Sequence, residues 1–246
     1  MAGHSKFKNI MYRKGAQDAK RAKKFTRLIK ELAVAVRAGA DPESNPRLRS
    51  ALAACRAANM PKDNIERVLK KGGSSDDRIY DEIRYEGFAP GGVAVIIEAL
   101  TDNRNRTASE IRATFSKFGG NLGESGSVNF MFERVGQISY GSVADAEAMF
   151  TAAVEAGATN VESDHDSHEI TTEVADFNKV RESLEAEFGA PHEAGLAWQA
   201  QTTTPIASED QAQSFMRFMD ALDNLDDVQS IASNVDIPDS LMAKLA

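Results

Sequence analysis

Residues 72 to 77 read Gly-Gly-Ser-Ser-Asp-Asp, and hydrophobic periodicity differs on the two sides of them. Before this segment apolar residues recur at helical spacing; after it, short apolar runs of strand length alternate with helical stretches. A helical stripe and a strand face cannot share one continuous layer, so the chain divides here into a helical unit and a mixed unit. The sign of the charge changes at the same place. Residues 1 to 71 hold 18 Lys and Arg against 6 Asp and Glu, whereas residues 72 to 246 hold 11 against 31, a split that the net charge of −8 hides. A polyanion responds to local potential and to counterion release, so the basic unit predicts a nucleic-acid partner although the protein is acidic. The plainer alternative is a solvated cationic face that only keeps the helices soluble.

Within the basic unit, Phe25, Leu28, Ile29, Leu32 and Val36 form one stripe between Gln17 and Arg37. Lys20, Lys23, Lys24, Arg27 and Lys30 fall opposite it within an arc of about 120°, which predicts one exposed cationic face. A second helix starts with Asn45 as cap and Pro46 at its first position, carries Leu48, Leu52 and Cys55 inward and ends near Asn59. A third follows Pro61, with Ile65, Val68 and Leu69 inward and Lys70 and Lys71 before Gly72. Three such helices make a small bundle.

Beyond the linker, strands are expected at residues 83 to 87, 93 to 100 and 128 to 132, with a helix ending at Phe118. Residues 136 to 201 then follow the order strand, helix, strand, strand, helix, strand, the order of a split βαβ unit, with helices near 145 to 156 and 177 to 188. The tail offers a helix with a Ser208–Gln211 capping box, apolar at Ala212, Phe215, Met216, Met219 and Leu222, and a short strand near Val228 to Ser233. Neither the tail nor the open unit at 83 to 132 buries a core alone, so the two are expected to join around an inserted domain. The resulting divisions are residues 1–77, residues 78–134 with 202–246, and residues 135–201.

At 246 residues and 42% hydrophobic content the chain can bury a real core. Its single cysteine, Cys55, excludes an internal disulfide framework and reads as a packed small apolar residue in a reducing compartment. No apolar run has the length of a membrane span, and the basic first 30 residues lack the hydrophobic centre of a secretory signal. Their Lys-rich makeup argues against a mitochondrial transit peptide.

Two segments carry candidate binding chemistry. In His4 to Lys14 the rings of Phe7 and Tyr12 alternate with Lys6, Lys8, Arg13 and Lys14, a mixture that suits unpaired nucleic acid: cations track phosphates while rings stack on bases. Alternatively, Phe7, Ile10 and Met11 tie this arm to the bundle. In Thr101 to Thr107, Arg104 and Arg106 sit at the start of a helix, against its dipole. They form either a phosphate site with the backbone N–H groups or ion pairs with Glu110 or another acid. The glycine clusters at 89–92 and 119–126 lack the P-loop and dinucleotide spacings and are expected to be turns. His165 and His168, with Asp164, lie at an expected turn without a third metal ligand at a recognisable spacing, and His192 has no identifiable nucleophile beside it.

The segments Met1-Ala2-Gly3-His4-Ser5-Lys6-Phe7, Gln17-Asp18-Ala19-Lys20-Arg21, Asn45-Pro46-Arg47-Leu48-Arg49, Asn59-Met60-Pro61-Lys62-Asp63, Tyr85-Glu86-Gly87, Pro90-Gly91-Gly92 and Thr101 to Thr107 together resemble the YebC family over nearly the whole chain. The resemblance implies an α+β fold, an N-terminal three-helix bundle followed by two ferredoxin-like α/β sandwich domains, one inserted in the other. It also implies that the basic segment is mature, since the family starts at this motif. Phe7 stands where members commonly carry Trp. Bacterial members are customarily assigned as cytoplasmic DNA-binding transcriptional regulators. Mitochondrial relatives are translational activators, and some bacterial ones are linked to ribosomes translating proline-rich stretches. The expectation is therefore a non-enzymatic cytoplasmic regulator without metal or cofactor, membrane or small-molecule substrate. Its partner is DNA or, at the ribosome, RNA, held by the cations and rings named above.

Overall fold

The computed structural model describes residues 17–71, 79–238 and 240–242, with side chains in the first stretch from residue 21 to residue 70. The elements in chain order are α1 (Gln17–Arg37), α2 (Pro46–Ala57), α3 (Lys62–Lys71), β1 (Asp81–Phe88), β2 (Ala94–Thr101), α4 (Arg104–Phe118), β3 (Asn121–Leu122) and β4 (Phe132–Gly141). There follow α5 (Ala146–Ala156), β5 (Asn160–Ser163), β6 (Ser167–Thr172), α6 (Phe177–Phe188), β7 (Glu193–Ala200), β8 (Thr204–Pro205), α7 (Glu209–Asp223), β9 (Val228–Ser233) and β10 (Val235–Asp236).

In the bundle, the stripe of α1 packs on Leu48, Leu52 and Cys55 of α2 and on Ile65, Val68 and Leu69 of α3. Asn45 does more than cap α2. Its side-chain oxygen accepts the Leu48 N–H at 3.0 Å while its amide donates to the carbonyls of Ala35 and Gly39 at 2.8 and 2.7 Å, tying the end of α1 to the start of α2. Cys55 is fully buried, and that burial raises its thiol to about 11, far from a reactive thiolate.

The rest of the fold is α+β, with two four-stranded antiparallel sheets, each backed by two helices. The first has the order β3-β1-β2-β9, so a strand from the tail completes a sheet begun before β4. Val95 and Ile97 of β2 face Ile111 and Phe115 of α4 and Phe215, Phe218 and Leu222 of α7. On its other side Ala94 and Ile96 meet Val128, Phe132 and Ala200. Burial on both faces is why β2 is a continuous apolar run. The second sheet, order β5-β6-β4-β7, has the ferredoxin-like arrangement of a split βαβ unit, with Ile138, Tyr140 and Ile170 packed on Met149, Ala153, Val180 and Leu184. Trp198 joins the two sheets. Its indole N–H donates to Glu98 at 3.1 Å, and the guanidinium groups of Arg84 and Arg134 lie 5.2 and 5.0 Å from its ring.

The strand expected at residues 128 to 132 is absent. Asn129–Met131 form a 3₁₀ turn, because the buried Glu86 carboxylate captures the N–H groups of Val128 and Asn129, both at 3.0 Å, that a strand would offer to a neighbour. Burial alone would raise the Glu86 carboxyl; these backbone donors outweigh it and hold the group below its ordinary value. The strand proper, β4, begins only at Phe132.

Gly87 sits where β1 and β3 cross Phe115: a Cβ there would lie 2.5 Å from the Asn121 carbonyl oxygen and 2.8 Å from the Phe115 ring. Backbone and a core ring cannot both retreat. Gly87→Ala is expected to cost about 1–3 kcal/mol of unfolding free energy in urea titrations, while Gly91→Ser, in an open turn at φ +84, costs less despite its backbone strain.

Candidate nucleic-acid interface

The helix α1 makes contacts on two sides. Its apolar stripe faces the bundle, and the arc opposite, expected to be exposed, is turned onto the loop between α7 and β9. Lys23 Nζ lies 3.2 Å from Asp223, and Arg27 pairs with the same carboxylate at 2.8 Å. Arg27 also donates to the carbonyls of Asp223 and Val228 at 3.0 and 2.7 Å. Lys30 reaches the Asp227 carboxylate and the Asp226 carbonyl, each at 2.8 Å. The expectation of a free cationic face is thus corrected for Lys23, Arg27 and Lys30. The physical reason is local: α7 ends in acids and in the negative end of its helix dipole, which attracts cations.

Asp227 is the centre of this contact. It is 3% exposed. One carboxylate oxygen accepts from Lys30; the other lies 2.7 Å from Arg106, 2.7 Å from the Thr107 hydroxyl and 3.1 Å from that of Thr101. Burial pushes the carboxyl up, but the donors from Arg106, Lys30 and Thr107 override it and hold the group well below the usual carboxylate range. Of the two readings of the Arg104–Arg106 pair, the ion pair is therefore what the described residues give, though not with Glu110. Arg106 bridges Asp102 and Asp227, and Arg104 stands mostly exposed, 3.7 Å from Asp81. Arg47 is held by Glu31 and Glu82 in a similar way, which links α1, α2 and β1.

Residues 5–75 match the model of the TACO1/YebC protein N-terminal domain, and residues 80–235 match that of the TACO1/YebC second and third domain. The chain belongs to the TACO1/YebC family. The crystal structure of a conserved hypothetical protein from Aquifex aeolicus superposes with a TM-score of 0.85 at 44% identity, over 90% of this chain and 93% of that one. Family membership supports a nucleic-acid-binding regulatory role, in transcription or translation.

Of the residues singled out for that role, Lys6, Phe7, Lys8, Tyr12, Arg13 and Lys14 lie outside the described residues, as does the side chain of Lys20. Lys24 is exposed on α1, next to Arg21, whose guanidinium lies 5.3 Å from the Phe25 ring. The second candidate cluster does not assemble. His168 lies on β6 and is buried, with its ring nitrogens 2.8 Å from the Ser163 hydroxyl and 3.0 Å from the Ala144 carbonyl, while His165 is exposed. Among the described residues no group of three His, Cys, Asp or Glu could hold a metal ion, and no helix is long and apolar enough to cross a membrane.

Asp223 and Asp227 were not found by sequence reasoning, yet a signal was there. Arginines at the start of α4 and acids at the end of α7 each oppose their own helix dipole, and a misfit at two helix ends with opposite signs is resolved when the ends meet. Asp227→Ala is expected to cost about 3–5 kcal/mol, since it removes the buried carboxylate that Lys30, Arg106 and two hydroxyls share. Because the folded-state carboxyl lies below its unfolded value, its contribution is fully present above about pH 5 and fades as pH falls below about 4. Asp227→Asn therefore flattens the acid limb of a stability–pH curve measured by urea unfolding. Arg106→Ala is expected to cost about 1 kcal/mol, a figure kept low because its guanidinium is half exposed, and Arg104→Ala close to nothing.

Proposed function

We propose that this chain is a non-enzymatic regulator of gene expression that binds nucleic acid chiefly through phosphate, and that it acts on RNA in translation rather than on a DNA operator. The observation that carries the reading is the docked face of α1. A helix that reads base edges lays a polar face into the major groove, and the most cationic face of α1 is instead spent on Asp223 and Asp227. The basic arm before α1 is then the main candidate contact. Its Lys6, Lys8, Arg13 and Lys14 suit phosphates and its Phe7 and Tyr12 suit unpaired bases, with Arg21 and Lys24 continuing the charge along the helix. Association with the ribosome and a cytoplasmic site of action belong to this reading; a membrane, a cofactor or a small-molecule substrate does not. The operator reading draws its support from the family's link with transcription regulation.

Anisotropy titrations of the full chain with labelled single-stranded RNA and with duplex DNA, at about 50 and 200 mM salt, decide between them. The expected result is a steep loss of affinity with salt, and duplexes of chosen and scrambled sequence that compete alike. Replacing Lys6, Lys8, Arg13 and Lys14 together with Ala should lower the logarithmic salt slope for the single strand by roughly three. A duplex preferred about 1,000-fold over its scrambled version would establish the operator reading instead.

A further inference from the structure

The junction between the helical bundle and the second sheet unit holds two arginines that the reading above does not use. On α6, Phe177, Val180 and Leu184 enter the core, and Arg181 is buried beside Glu182, the residue that Arg49 of α2 approaches. Arg181 is 6% exposed, and its Nε has no hydrogen-bond partner among the described residues. The carboxylate oxygen it approaches, Oε1 of Glu182, lies 3.8 Å away, beyond hydrogen-bond length. Glu185, one turn further on, forms no ion pair with it among the described residues. From the opposite side Arg49 of α2 approaches the same Glu182 oxygen, also at 3.8 Å. Its Nε is likewise buried and unpartnered among the described residues, where its one hydrogen bond is a long 3.5 Å contact to the Glu43 carbonyl.

Two guanidinium groups from two separate units thus converge on one oxygen that satisfies neither. Their terminal nitrogens are at most 7.6 Å apart, twice 3.8 Å. A buried guanidinium is costly unless an anion pairs with it, and its planar fork is matched by oxyanions that accept two bonds at once. Glu182 is largely exposed and free to swing away. We propose that Arg49 and Arg181 form a phosphate-binding site across the junction of α2 and α6, with Glu182 as the internal anion that gives way. A bound phosphoryl group would accept from both forks and clamp the bundle onto the second sheet unit. The group is either a backbone phosphate of a nucleic acid or free phosphate. The first source rests on the function proposed above and the second does not.

The test uses the full chain and two probes, inorganic phosphate and a single-stranded RNA. Phosphate should raise the Tm relative to chloride at equal ionic strength. Arg49→Gln and Arg181→Leu should abolish that rise, and Glu182→Gln, which removes the competing carboxylate, should enlarge it. The half-exposed Arg49 and exposed Glu182 keep the test valid if Arg181→Leu fails to fold. If the source is a nucleic acid, Arg49→Gln weakens RNA binding roughly tenfold and Glu182→Gln strengthens it, with or without a phosphate-induced rise in Tm. If the source is free phosphate, the Tm response changes and RNA affinity does not. A wild type that binds no RNA refutes the proposed function and leaves the phosphate arm to decide the site. Tm responses and RNA affinities that are indifferent to Arg49→Gln and Glu182→Gln overturn the site.

Discussion

One buried carboxylate holds the architecture together. Asp227 collects Lys30 from the helical bundle, Arg106 from the start of α4 and the hydroxyls of Thr101 and Thr107, and its backbone carbonyl accepts the Leu100 N–H at 2.9 Å. It therefore ties together the end of β2, the start of α4, the turn into β9 and α1. A carboxylate taken out of water is costly unless nearly every lone pair finds a donor, and here the donors come from two distant stretches of chain, Lys30 of α1 and the segment from Thr101 to Thr107. The first sheet and the bundle are consequently aligned by a contact that tolerates little rearrangement. Around it the Lys23 and Arg27 pairs with Asp223 form a more exposed outer layer.

This contact changes the meaning of the polarised charge. A basic unit followed by an acidic one looks like a binding surface attached to a neutral scaffold. In the folded chain part of the opposite charge cancels internally: Lys23, Arg27, Lys30 and Arg47 all face acids of the molecule itself. Among the described residues, what remains for a polyanion is the set of exposed cations of the bundle, such as Arg21 and Lys24. Scattered charge of that kind suits phosphate recognition better than base readout.

Much of the fold could be read from periodicity. The stripe of α1, the Asn45–Pro46 start of α2, the doubly buried run of β2 and the split βαβ order all follow from local spacing, because each element must bury its apolar side whatever its neighbours are. The misplaced strand at 128 to 132 shows the limit. The run Val128-Asn129-Phe130-Met131-Phe132 suggested a strand, but the Glu86 carboxylate, distant in sequence, claims its backbone donors. The candidate site was legible as a set of residue types and not as a surface. Lys24 stands exposed as the helical wheel implied, while Lys23, Arg27 and Lys30 on the same arc do not.

The sequence by itself determined where most helices and strands form, which apolar faces they bury and that the first 71 residues carry a large positive charge, since these follow from residue types and spacings a few positions apart. Only the tertiary structure decided which of those cations meet solvent. Ion pairing depends on distances of a few ångströms between groups some 200 positions apart, such as Lys23 and Asp223. Periodicity shows that a charge lies on the polar side of a helix, but not whether water or a carboxylate stands opposite it.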